Sequence, residues 1–256
     1  MERYPGLLAT GGHPSVDMPA HVVEAAVRAA RRPAYAPTHG LRELRVAIAE
    51  RISAEIEHPV DPDRQVLITV GGMQALHLAA SVYGARAVVH SPSFFFPQLV
   101  AAVGGSCQRT GGEAGPPDWE AFGRAIDALA RAFAWQSLAI DGVAQAAALA
   151  ALTGPQNWIE EAVAELGDAR PRAVEAANAS GVMRAEVPEA AAFVWAALDG
   201  DEDEWSERLA VDHGITALPG RHFGSRTPHL RIPFGGRPEA REALLERLRL
   251  LAAVEV

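Results

Sequence analysis

The chain has 256 residues, a net charge of -9 and an ordinary globular composition, 49% hydrophobic and 21% charged. That leaves room for one domain or two small lobes around a core, and the acidic balance disfavours nucleic-acid and anionic-membrane partners. A single cysteine, Cys107, excludes an intrachain disulfide framework and fits a reducing cytoplasm, while all 23 basic residues are arginine and lysine is absent.

Residues Met1–Pro5 carry no long apolar stretch of signal-peptide type. An irregular start, Thr10-Gly11-Gly12-His13-Pro14, leads into a predicted helix from Pro19 to Arg31. The Pro/Gly-punctuated stretch Pro33–Gly40 reads as a loop. Leu41, Leu44, Ile48 and Ile52 then recur at helical spacing over 41–56. Val66–Val70 reads as a buried strand, Gly71-Gly72 as a turn into a helix over 73–82, and Ala87–His90 as a second strand. Ser91-Pro92 opens a helix to Val103, and Asp118 is placed to cap one running through Ala130.

Alanine-rich helices are expected over Ser137–Leu152 and Asn157–Ser180; the apolar run near Val143–Leu152 is broken by Gln145 and too short to span a bilayer. The C-terminal third reads as α+β. Strands are expected at Met183–Val187, Ala191–Ala196 and His229–Pro233, with helices at Glu204–His213 and Glu239–Leu250. The acidic run Asp199–Glu204 falls at a helix start, where the helix dipole favours carboxylates, and is read that way rather than as a metal site.

Five ordered segments carry a family resemblance. Tyr35 with Gly40-Leu41-Arg42-Glu43-Leu44-Arg45, Ile68–Leu76, Pro92-Ser93-Phe94, Pro219–Gly224 and Leu230–Phe234 together resemble the class I/II, fold-type I aminotransferases that use pyridoxal phosphate. The resemblance covers roughly residues 1–120 and 137–250. It implies an α/β fold of truncated aminotransferase type, with a reduced parallel-sheet lobe and a smaller α+β C-terminal lobe. The expected division is 32–136 as the remnant of the large domain, with 1–31 and 137–256 forming a small-domain-like lobe and its N-terminal arm.

Between Asp127 and Ser137 the family places a long block that this chain lacks, leaving only the bridge Ala132–Gln136. By the resemblance, that block carries the Schiff-base lysine, the aspartate facing the pyridine nitrogen, a phosphate-binding arginine and the centre of the large-domain sheet. Guanidinium cannot replace the primary amine of a Schiff base. The expectation is therefore that no cofactor is used, with weak non-covalent pyridoxal phosphate at most. The strands at Val66–Val70 and Ala87–His90 must become neighbours, or another element or a partner chain must fill the gap.

The resemblance assigns the surviving groups. Arg231 is expected to bind a substrate carboxylate with its guanidinium fork, the alternative being a structural ion pair. Gly71, Gly72 and the Met73 amide are expected as a vestigial phosphate site, or simply as a tight strand-to-helix turn, and Phe94 as a ring to stack on a planar ligand. His13, Tyr35, His39 and His222 are the candidate acid–base groups. His21, His58, His77, His90, His213 and His229 have weaker claims, no metal motif is present, and Cys107 reads as a buried thiol. The reading is a homodimeric enzyme that runs a cyclisation, isomerisation or addition–elimination on an amino-acid-derived carboxylate. The alternative is a non-catalytic ligand-binding partner of an intact relative.

Overall fold

The computed structural model describes residues 6–13, 15–31, 35–83, 86–90, 96–110 and 119–251, and within these the backbone alone of 86–90, 107–110 and 119–127. The described residues form two compact units, those within 18–90 and 96–156, and those within 6–17 and 157–251.

The first unit is mostly helical. It contains α1 (Ala20–Ala30), α2 (Arg42–Ile56), α3 (Gly71–Tyr83), α4 (Phe96–Ala102), α5 (Trp119–Ser137) and α6 (Gly142–Thr153), with β1 (Arg86–His90) and β2 (Ser106–Thr110). α1 and α2 both pack on α6, and α3 packs on α5 and α4. Leu44, Leu78 and Phe133 are its large buried side chains. Gln145 is 2% exposed although polar, because its side chain is used twice. It accepts from the Leu41 amide at the start of α2 (2.7 Å) and donates to the Ile140 carbonyl (3.1 Å). Arg45 is likewise buried and ties α2 to the turn at 61–63 through the Pro62 carbonyl and Asp63 (2.9 Å).

This unit corrects three expectations. Val66–Val70 joins no sheet; β1 pairs in parallel with β2 instead. Two of that segment's amides find acceptors outside a sheet, Ile68 N–H at the His39 carbonyl (3.1 Å) and Val70 N–H at the Gln74 side chain (2.7 Å). Residues 132–136 are not a bridge but the last turns of α5, whose Phe133 is fully buried. The next helix starts at Gly142 rather than Ser137: Leu138 has φ 59°, and Asp141 caps α6 by accepting from the Val143 and Ala144 amides.

The second unit is a four-stranded antiparallel sheet backed by helices. β3 (Met183–Ala185), β4 (Phe193–Leu198), β5 (Leu218–Pro219) and β6 (His229–Pro233) lie in the order β3-β4-β6-β5. α7 (Asn157–Ala179), α8 (Glu202–His213) and α9 (Pro238–Leu250) complete it. Burial alternates along β4, so Val194, Ala196 and Leu198 face the core with Leu230 and Ile232 of β6. Small residues on one face of α7 (Ala169, Ala173, Ala176 and Ala177) let the helix approach the sheet closely, and Leu244, Leu245 and Leu248 of α9 fill the remaining space. The strand at 183–185 is shorter than expected, and the one at 193–198 keeps the expected length but lies two residues further on. The short β5 and the 3-10 turn that follows it (Gly220–Phe223) were not anticipated as elements.

Candidate functional site

The alternation that buries Val194 and Ile232 turns Phe193, Trp195, His229 and Arg231 to the opposite, half-exposed face of the same sheet. Arg231 stands opposite Trp195 of β4 and Leu218 of β5. Its guanidinium carbon lies 4.2 Å from the Phe193 ring centroid and 4.5 Å from that of Phe223. The two rings hold the planar fork by cation–π contact. Burial pulls the Arg231 pKa below the usual arginine value, so part of its hydration shell has been removed. Trp195 extends the aromatic face, edge-on to Phe223 and stacked 5.0 Å from His229.

The surroundings fix this geometry. The N-terminal strap lies on the loop after β6: Gly235 donates to the Gly11 carbonyl (2.9 Å) and Ser15 to the Gly235 carbonyl (3.2 Å). Gly12 packs against Phe193 so closely that a Cβ there would overlap the ring. Beneath the loop, buried Arg241 donates to the Phe234 and Gly236 carbonyls and pairs with Glu165 at 2.8 Å. On the other side, the 3-10 turn delivers Phe223, and Gly224, at φ 89°, ends it.

Three of the expected site residues therefore belong to the sheet unit. Arg231 is on β6, exposed His13 follows the glycine that touches Phe193, and half-buried His222 precedes Phe223. Tyr35, His39, Gly71, Gly72 and Met73 belong to the helical unit. Tyr35 is 91% exposed, and the His39 carbonyl is tied to Ile68, three residues before Gly71. Gly71 has φ 67°, and added Cβ atoms on Gly71 and Gly72 would meet nothing within 4 Å, so the start of α3 is open to an approaching anion. Phe94 lies outside the described residues. Among those described, no group of His, Cys, Asp and Glu could hold a metal ion, and no helix is long and apolar enough to cross a membrane.

Sequence reasoning missed Glu202. It treated the acidic run as interchangeable dipole partners, but the side chain of Glu202 is only 13% exposed and turns back toward β6. Only its position on the first turn of α8 hinted at a separate role.

The class I and II aminotransferase family matches the chain in two stretches, residues 8–110 and 100–248. A stretch of 102 residues is 40% identical to the aspartate/prephenate aminotransferase of Thermus thermophilus, covering 38% of this chain and 26% of that protein. The chain thus spans about a quarter of the length of such relatives. The crystal structure of aspartate aminotransferase from Rhizobium meliloti superposes with a TM-score of 0.84 at 17% identity, over 98% of this chain and 92% of that one. The Thermus thermophilus aspartate aminotransferase with maleate gives 0.82 at 23%, over 98% and 92%. These structural likenesses establish the truncated α/β aminotransferase-like fold.

The matches overturn one expectation. A family of pyridoxal-phosphate enzymes points to that cofactor rather than to none. The turn at Gly71–Met73 fits its phosphate, but with no lysine in the chain no residue fits its covalent attachment.

Proposed function

Because the chain belongs to the class I and II aminotransferases, we propose that it binds the carboxylate of an amino acid or 2-oxo acid at Arg231. The observation that carries this is the guanidinium held against the Phe193 and Phe223 rings on the half-exposed face of the sheet. Two rings fix the plane of the fork, which is the condition for bidentate recognition of a carboxylate. Partial desolvation raises the value of an incoming anion to the arginine. Gly71, Gly72 and the Met73 amide are assigned to the cofactor phosphate.

Without a lysine, proton movement at the bound carboxylate is assigned to His13 and His222, the candidate acid–base groups of the same unit. A cyclisation, isomerisation or addition–elimination on the bound carboxylate suits that set. A second reading, a ligand-binding partner of a lysine-bearing relative, is favoured by Val66–Thr69. This segment stays outside any sheet and lines an apolar cleft of about 430 Å3 with Ile48, Ile52 and Leu76.

Thermal-shift titration with maleate, aspartate and 2-oxoglutarate tests the assignment. Each ligand that binds is expected to raise the midpoint of the wild type and leave Arg231→Ala unmoved, because a ligand of the folded state must stabilise it. Equal shifts in both proteins would remove Arg231 from the site. Co-purification with a lysine-bearing relative, in the absence of any such shift, would favour the partner reading.

A further inference from the structure

The acids of the run Asp199–Glu204 are not equivalent. Asp199 pairs with Arg184 (2.9 Å), Asp201 caps the helix by accepting from the Asp203 and Glu204 amides, and Asp203 pairs with Arg221. Glu202, 3.9 Å from the Arg221 guanidinium, also collects three backbone amides from the hairpin that carries Arg231. One carboxylate oxygen accepts from Gly220 (3.1 Å) and His229 (3.0 Å), and the other from Arg221 (3.0 Å). Gly220 and Arg221 open the 3-10 turn, and His229 opens β6. A single carboxylate thereby ties both ends of the Gly220–His229 loop to α8. Three charge-assisted bonds onto one largely buried group make a stiff joint.

We propose that Glu202 is a positioning residue for the carboxylate site. It sets where the 3-10 turn places Phe223, and hence one wall of the clamp around Arg231, while fixing the start of β6 two residues before the guanidinium. This inference rests on the carboxylate reading of Arg231. Neither Asp201 nor Asp203 can substitute, because each already holds other partners and neither is hydrogen-bonded to the hairpin's amides. Without the carboxylate, the Gly220 and His229 amides, both part-buried, lose their acceptor, and the turn must move to find another.

Maleate is the probe, titrated calorimetrically into the full chain as wild type, Arg231→Ala, Glu202→Gln, Glu202→Ala and Leu248→Ala. Leu248 is fully buried on α9, so its truncation lowers the stability of the same unit without touching the hairpin. Glu202→Ala is expected to weaken maleate about tenfold and Glu202→Gln, which keeps one acceptor oxygen, about threefold; Leu248→Ala should stay within about twofold of wild type. Should the alanine variant fail to fold, the glutamine variant decides. Wild-type affinity in the Glu202 variants overturns the proposal, as does an equal weakening in Leu248→Ala, which would reduce Glu202 to general stability. Arg231→Ala separates the two readings. If it abolishes binding while the Glu202 variants bind as tightly as wild type, only the positioning role falls; if wild type does not bind, or Arg231→Ala binds equally well, the carboxylate site itself falls and takes this role with it.

Discussion

Among the described residues, the sheet unit closes its core and the helical unit leaves an apolar cleft open. Around β4 and β6, Val194, Ala196, Leu230, Ile232 and Phe234 are completely buried, as are Leu244, Leu245 and Leu248 of α9. In the helical unit, Ile52 and Leu76 remain 36% and 39% exposed beside a cleft of about 430 Å3, a volume that a packed interior would fill. The contrast follows from how the two kinds of backbone are satisfied. A helix makes its hydrogen bonds within itself, so α2, α3 and α5 form although the central block of the family's large domain is missing. A strand needs neighbours, so Val66–Val70, with the right composition for one, does not become one. The antiparallel sheet is built from consecutive C-terminal segments and escapes that loss.

If the units differ in this way, denaturant unfolding has two steps, and the helical unit goes first. Phe234→Ala should then move the second step alone, by about 3–5 kcal/mol, since the ring is fully buried and the cavity left behind cannot refill. Urea titration followed by both tryptophan fluorescence and far-UV dichroism checks this. A single coincident transition that moves as a whole would break the comparison.

The same physics explains how much was legible in the sequence. The periodicity of Leu44, Ile48 and Ile52 and the acidic start of α8 are local signals, and those helices lie where they were expected, to within two residues. β6 with its arginine was also legible, because alternation over five residues needs no knowledge of a partner. Val66–Val70 was misread because strand propensity describes a residue on a sheet and cannot supply the sheet. The continuation of α5 through Ala132–Gln136 was missed because the resemblance directed attention to what that stretch lacks. Phe133 had the spacing of a buried helix position all along. Phe193, Phe223 and Glu202 sit 38, 8 and 29 residues from Arg231, and only folding brings the rings to its guanidinium and the carboxylate to its hairpin.

A smaller effect sharpens the comparison from the helical side. Gln145 is the polar joint between α6 and the start of α2, so Gln145→Ala leaves the part-buried Leu41 amide without its acceptor. The expected cost is about 1–3 kcal/mol, appearing only in the first unfolding step. A shift in the second step instead would mean that the two units share one cooperative core.

The smallest effect concerns acid. In the sheet unit, the Glu204 and Asp203 amides hold the Asp201 carboxyl below the usual aspartate range. In the helical unit the hydrogen bond from Arg45 does the same for Asp63. A carboxyl depressed in the folded state contributes stability that is fully present above its unfolded pKa and is lost as pH falls through its folded value. Asp201→Asn keeps a side-chain oxygen to cap α8 but cannot titrate. At neutral pH the second unfolding step should therefore barely move, and between about pH 4 and pH 2 it should fall less steeply than in wild type. Asp63→Asn should flatten the first step in the same window and leave the second unchanged. Both carboxyls are solvent-exposed, so the flattening is small, and its value lies in its address. If either variant altered the other unit's step, the acid response would belong to the whole chain and the two units could not be treated as separate cooperative bodies.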